Sequence, residues 1–414
     1  HNLGIKQPIA QIVQALNETG ANAIGMSGLL VKSVGVMEEN LHELNRTGLT
    51  VPVMLGGAAL TRHYAESHLR GIYQGPLYYG KDAFEGLSIC EHLATNRLTE
   101  IDEQIDARLE KRASAEEKVA CGKERGGGGG TAVLTAGGRS NVAADIVIPK
   151  VPFWGERLVE DLDLDDIYPF INPVALFRGQ WGFKKGSMST EEYQRTLEET
   201  VEPLFERMKT LCKAERILRP AVVYGYFPCN AVGDDLVVYD PQDHDKEIER
   251  YSFPRQDKRE RLCISDFFRP VESGEKDVVG FHCVTMGVEA SHRARQLFER
   301  NEYTEYLYLH GMGVETAEAL AELWHKRMRA ELGIGHGDSP KIRELFTQHY
   351  RGSRYSFGYP ACPDLADNEK AWEILDGARL GIEVSEETGF QFQPEQTTCA
   401  LICHHPRAKY FVAR

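Results

Sequence analysis

Arg354 stands four residues ahead of the run Gly358-Tyr359-Pro360-Ala361-Cys362-Pro363. A guanidinium keeps its charge and can grip a carboxylate with two parallel hydrogen bonds. Two prolines and a glycine within six residues impose a stiff, non-helical loop beside it. An arginine next to a rigid loop that carries an aromatic ring suits a small zwitterionic ligand. A structural turn with a surface arginine is the other reading, and the spacing leaves both open. Glu315, Glu318 and Glu322 fall on one face of a helix expected over 314–332; for Glu318 a solvated acid is the plain alternative to a ligand contact. Tyr410 and Phe411 are either ligand-bordering aromatics or core. His404 and His405 are adjacent in a strand pattern, so they point to opposite faces and suit structural roles better than one shared metal. No nucleophile–base pair stands out.

A second group of candidates lies near the start. Ser27 closes a short apolar strand, and Gly56-Gly57 closes another. A serine offers a hydroxyl, and paired glycines let a large ligand approach the backbone. Tight strand-to-helix turns would explain the same residues without a ligand.

The elements that must position these groups alternate over the first hundred residues. Ile9, Ile12, Val13 and Leu16 recur at helical spacing between Pro8 and Gly20, a start and a stop signal. Strands at 23–26, 51–55 and 77–79 are separated by helices. Repeated β-α units predict a parallel, doubly wound sheet, whose ligands bind at the carboxyl ends of the strands. Both small-residue motifs lie there. From Glu100 to about Lys150 the chain is charged, then carries five consecutive glycines (126–130), then small polar residues; this composition predicts a flexible linker. The remainder mixes elements. Ser189 and Glu192 form a capping box for a helix reaching to about Cys212. Pro220–Phe227 and Leu236–Tyr239 read as strands around a Gly233-Asp234-Asp235 turn, and 278–285 and 397–404 as further strands. Strands and helices in separate runs predict an α+β domain.

At 414 residues, with 42% hydrophobic and 27% charged residues, the chain is expected to hold two or three domains. A net charge of −14 argues against nucleic acid. There is no apolar run long enough for a membrane span and no signal peptide at the start. Nine scattered cysteines predict reduced thiols and a cytoplasmic location. The first residues read like the end of a strand, so a fragment of a longer protein is expected.

These motifs also carry a resemblance. The loop after Arg354, the stretch from Arg219 to Asp235, Ser265-Asp266-Phe267-Phe268 and His405-Pro406-Arg407-Ala408-Lys409-Tyr410 resemble, in order, the S-adenosylmethionine-binding reactivation domain of cobalamin-dependent methionine synthases. The 26 residues between Leu29 and Gly56 are similar to the S-x-L and G-G spacing of cobalamin-binding domains. The resemblance implies a truncated Rossmann-like cobalamin domain (1–100), a linker (101–150) and an α+β reactivation domain with a mixed or antiparallel sheet (151–414). It implies cobalamin contacts from Ser27, Leu29, Val31, Gly56, Gly57 and Ala83. His1 does not match the family's axial cobalt ligand, which is expected upstream, so no metal ligand is assigned in this chain. For S-adenosylmethionine it implies Arg354 on the carboxylate, Glu318 at the amino end, Tyr359 near the sulfonium, backbone contacts from Tyr355 and Ser356, and Tyr410 and Phe411 bordering the adenosine. Tyr359 and Glu318 are thereby nearest the reacting groups. Asn172 falls where some relatives have aspartate.

The implied activity is that of a methyltransferase moving a methyl group from methyltetrahydrofolate to homocysteine through cobalamin. This segment would remethylate oxidised cobalamin with S-adenosylmethionine and an electron from a flavodoxin-like donor or reductase. Its other partners would be further domains of the same enzyme, with zinc confined to N-terminal domains outside this chain. A non-catalytic module binding S-adenosylmethionine and corrinoid is the alternative. A mutase is disfavoured, because mutases join this cobalamin domain to a barrel.

Overall fold

The computed structural model describes residues 1–4, 7–28, 31–57, 60–81, 83–109, 139–186, 188–257, 260–386 and 389–413. The chain divides into two units, His1–Thr131 and Ala132–Arg414. The glycine run of the expected linker lies outside the described residues. Residues 139–150, expected as part of that linker, belong to the second unit. There Arg139 Nη2 donates to the carbonyls of Asp266 and Phe268 at 2.8 and 2.9 Å, and Ser140 and Val142 are buried.

The first unit alternates as its sequence predicts. Helix α1 (Ile9–Thr19) starts after Pro8 and stops at Gly20, whose φ of 62° is left-handed. It is followed by β1 (Ile24–Ser27), α2 (Val31–Arg46) and β2 (Val53–Gly56). A helical stretch then runs from α3 (Arg62–Tyr64) through a π-turn to α4 (Arg70–Ile72). It leads to β3 (Leu77–Gly80), α5 (Ala83–Ala94) and α6, which covers 98–109. The strands form a parallel sheet of order β1-β2-β3. Leu16, Ile24, Leu41, Leu44, Val53, Leu55 and Leu69 make its core.

The second unit is built on a seven-stranded antiparallel sheet of order β7-β6-β5-β8-β10-β9. Its strands are β4 (Gly155–Val159), β5 (Ala221–Val232), β6 (Asp235–Tyr239), β7 (Glu247–Ser252), β8 (Asp277–Thr285), β9 (Ser353–Tyr355) and β10 (Thr397–Cys403). The long β5 pairs with β4 through its first half and with β6 through its second, while β8 runs along its other edge. The sheet is buried on both sides. Val222, Tyr224, Val284, Ala400 and Ile402 face one core, and Val223, Phe281, Cys283, Cys399 and Leu401 face the other. This is the period-two division of a pleated strand.

The short α7 (Leu164–Ile167) precedes α8 (Thr190–Thr196), which opens on the expected capping box: Glu192 N donates to Ser189 Oγ at 3.1 Å and Ser189 N to Glu192 Oε2 at 2.8 Å. Helix α9 (Glu202–Ala214) continues it through a π-turn. Then come α10 (Val288–Glu299), α11 (Tyr303–Glu331), α12 (Ile342–Leu345) and α13 (Asp367–Ile374).

Helix α11 starts eleven residues before the Val314 that the sequence suggested. Gly311 and Gly313, which look like helix breakers, are packing positions. A Cβ on Gly311 would lie 2.7 Å from Gln180 Cβ, and one on Gly313 would lie 3.0 Å from Gln396 Cγ. Among the described residues no helix is long and apolar enough to cross a membrane.

Candidate functional site

Arg354 sits on β9, an edge strand paired in register with β10 so that Arg354 opposes Ile402. Ile402 belongs to the core that α11 covers, so the sheet register turns Arg354 toward that helix. There Arg354 Nη2 donates to Glu318 Oε2 at 3.1 Å and stands 3.8 Å from Glu322 Oε2. The two acids are one helical turn apart, which puts both on the same face of α11. Burial works against the arginine's charge, but Glu318 and Glu322 outweigh it and hold the guanidinium above its ordinary pKa. Glu322 is buried, its Oε1 has no hydrogen-bond partner, and burial raises its pKa against the opposing pull of Arg354 and Arg329.

Over this pair opens a cavity of about 410 Å³, lined by Glu318, Glu322, Arg354, Tyr355, Ser356, Tyr359 and Tyr410 together with Leu345, Phe346, Gln348, Tyr350 and Ala361-Cys362. That size falls in the range of small-ligand sites, about 300–1,000 Å³. The loop expected from its prolines is closed by two backbone bonds, Gly358 N to Cys362 O and Cys362 N to Tyr359 O, each 2.9 Å. Gly358 takes a φ of 89°, which a side chain would oppose. The turn leaves Tyr359 58% exposed at the rim, with the half-exposed Tyr410 also at the cavity. The arrangement offers a cation for a carboxylate, carboxylates for an ammonium, and aromatic faces for a sulfonium or a flat ring.

Six of the eight residues expected at this site therefore line one cavity: Glu318, Arg354, Tyr355, Ser356, Tyr359 and Tyr410. Tyr355 is buried, and its phenol donates to the Lys409 carbonyl at 2.9 Å. Phe411 is not among the lining residues; it is buried behind Tyr355 at a centroid distance of 6.2 Å. Asn172 is not among them either. Its side-chain oxygen accepts from Val174 N at 3.1 Å and starts the helical turn Val174–Gln180. Glu322 and Tyr350 join the site although the sequence reading assigned them no role. The i, i+4 spacing from Glu318 was the signal for Glu322; nothing local marked Tyr350.

Behind the cavity is a second polar layer. Arg329 is paired with Asp338 at 2.7 Å, and its guanidinium lies 4.0 Å from the Tyr350 ring centroid. His282 and His325 are fully buried, and none of their four ring nitrogens has a hydrogen-bond partner. Burial, helped by the charge of Arg354, depresses His282 to about 3. Burial first, then Arg329, Arg354 and His282, lowers His325. Both imidazoles are neutral. His404 and His405 hold structure, with His404 Nε2 2.7 Å from Asp277 Oδ1 and His405 Nε2 2.9 Å from the Ala143 carbonyl.

In the first unit the register aligns Ser27, Gly56 and Gly80 across the carboxyl ends of the three strands. Ser27 is exposed, and Gly56 and Gly57 are partly so. Gly57 has a φ of 106°, and a Cβ there would lie 2.0 Å from the Gly28 carbonyl oxygen. The glycines thus let two strand exits touch. Val31 and Ala83 open α2 and α5; Leu29 lies outside the described residues.

Comparison with known proteins agrees with this layout. Residues 163–414 match the family described as vitamin B12-dependent methionine synthase, activation domain, and residues 1–88 match the B12-binding domain. Methionine synthase of Mycobacterium tuberculosis is 42% identical over 434 residues, which cover 99% of this chain and 36% of that protein. The Mycobacterium leprae methionine synthase is 38% identical, with the same shares covered. The crystal structure of the MetH reactivation domain bound to AdoHcy superposes with a TM-score of 0.58 at 27% identity, covering 65% of this chain and 84% of that one. The chain spans about a third of the length of these curated relatives. It belongs to the activation-domain family of vitamin B12-dependent methionine synthases, with a B12-binding domain preceding that domain.

Proposed function

We propose that the cavity over Arg354 binds S-adenosylmethionine, and that this chain serves a cobalamin-dependent methionine synthase by remethylating oxidised cobalamin. The observation that carries this reading is Arg354 held between Glu318 and Glu322 at the base of a cavity rimmed by Tyr359. The similar MetH domain holds AdoHcy, which shares the adenosine and amino-acid parts of S-adenosylmethionine. Arg354 takes the carboxylate and Glu318 the amino end. Tyr359 faces the sulfonium, Tyr410 borders the adenosine, and Tyr355 and Ser356 contribute mainly backbone. Phe411 acts through Tyr355, and Asn172 keeps its bond from Val174 N.

Transfer of a methyl group from a sulfonium moves no proton, so the site needs no general base. The residues supply placement instead, holding the methyl carbon in line with its acceptor. Cobalamin supplies that acceptor, the chemistry belonging to the cofactor, and an electron comes from a flavodoxin-like donor or reductase. The strand ends at Ser27, Gly56 and Gly57 suit the cofactor's tail, with further contacts assigned to Leu29, Val31 and Ala83. We assign turnover of methyltetrahydrofolate and homocysteine, and any zinc, to other domains of the longer enzyme. The eight cysteines among the described residues are all free, which supports a reducing, cytoplasmic setting.

Calorimetry tests the reading. S-adenosylmethionine binds the wild-type chain and not Arg354→Ala, with the thermal transition of the variant checked in parallel. Equal binding by both proteins sinks the assignment.

A further inference from the structure

His282 on β8 and His325 on α11 lie on the facing sides of a close sheet–helix contact. Gly280, two residues before His282 and on the same sheet face, has no space for a Cβ, which would lie 2.8 Å from Met328 Cε. Met328 is three residues after His325 on the same face of α11. Both imidazoles therefore lie in the layer between β8 and α11, and β9 brings Arg354 to that layer from the sheet edge. Glu322 Oε1, buried and unpartnered, is one turn before His325. The ring of His325 stands edge-on to Tyr350 at 5.1 Å, and Tyr350 in turn stacks on the Arg329 guanidinium.

Unpaired buried polar atoms are costly, and several together are the usual setting of ordered internal water. Four ring nitrogens and a carboxylate oxygen in one layer fit that setting. A neutral imidazole also has a property that a carboxylate lacks: it accepts from a guanidinium, directly or through water, without cancelling its charge. Arg354 already faces two acids. More acid behind it would leave little charge for a ligand.

We infer that His282 and His325 are positioning residues that fix the Arg354 guanidinium through ordered water while leaving its charge free for a ligand carboxylate. The inference rests on the S-adenosylmethionine reading given above and adds residues that touch neither ligand nor cofactor.

The test compares two ligands on the 414-residue chain: S-adenosylmethionine and its decarboxylated analogue, which keeps the adenosine and the sulfonium. In His325→Phe and His282→Phe, affinity for S-adenosylmethionine falls about tenfold while affinity for the analogue changes less than about twofold, as expected when water-mediated bonds are lost. His325→Gln, which retains an acceptor, recovers most of the loss. Equal losses for both ligands, or no loss for either, overturn the inference. If the phenylalanine variants do not fold, a high-resolution crystal structure of the wild type decides: water bridging His282 or His325 to the Arg354 guanidinium supports the inference, and a dry contact overturns it. Wild-type protein that binds neither ligand overturns the parent reading along with it, so the two failures are distinguishable.

Discussion

Arg354 and Glu318 are joined by a 3.1 Å hydrogen bond from Nη2 to Oε2, with side-chain exposures of 21% and 44%. The arginine is thus partnered before any ligand arrives, and its partner is the more solvated of the two. An entering carboxylate competes with Glu318, which can swing toward water or toward a ligand ammonium. Glu318→Gln removes the competitor and the ammonium partner together. We expect S-adenosylmethionine affinity to drop by about tenfold, since hydrogen bonds to charged groups contribute about 1.5–3 kcal/mol. The analogue lacking the amino group should bind the variant at least as well as wild type. Calorimetry at low and high salt checks both statements.

Tyr359 is mostly exposed, so its ring contributes little to the fold. Tyr359→Ala should leave the melting temperature within a few degrees of wild type, in keeping with a surface change of about ±0.5 kcal/mol. It should weaken S-adenosylmethionine binding by about 0.5–2 kcal/mol, the range of a cation–π contact. Tyr359→Phe should bind almost as wild type. A neutral alanine variant would remove Tyr359 from the sulfonium.

His282 makes stability depend on acid. Its folded-state value of about 3 lies below the ordinary 6.5, so the unfolded chain binds the proton first. The stabilisation from keeping it neutral is complete above about pH 6.5 and is lost as pH falls toward 3, at up to about 1.4 kcal/mol per pH unit. Denaturant midpoints from pH 7 to 4 should fall more steeply for wild type than for His282→Phe. Parallel slopes would show that the imidazole is not held neutral.

Gly57 combines a φ of 106° with a backbone neighbour where a Cβ would go. Gly57→Ala should destabilise the first unit by more than about 2 kcal/mol, because neither the left-handed backbone nor the contact with Gly28 can relax cheaply. Limited proteolysis should then cut within residues 1–109 while the second unit stays resistant. Unchanged protection there would refute the contact.

The first unit was legible because its period changes are local: Pro8 and Gly20 bracket α1, and small residues follow each strand. The site loop was legible because prolines and a glycine leave a turn few options. What escaped the sequence depends on distant packing. The glycines of α11 look like a stop until Gln180 and Gln396 are seen against them. The strands of the second sheet are buried on both faces, so β5 and β8 show no alternation that would reveal which residues face α11. That is why Arg354 could be singled out while Tyr350 and the two histidines behind it could not. Asn172 was drawn in by position in a motif, and its side chain serves the backbone instead.

Strand β10 has a consequence for synthesis. It lies between β8 and β9, so the strand carrying Arg354 has no sheet to join until β10 is in place. β10 follows both in the sequence, and β8 was translated more than a hundred residues earlier. Pairings of such long sequence separation form slowly. A nascent chain therefore carries β8 with one open edge until β10 follows more than a hundred residues later. A prematurely terminated product would have an unanchored Arg354 and an exposed apolar strand, the kind of surface that chaperones hold and proteases clear.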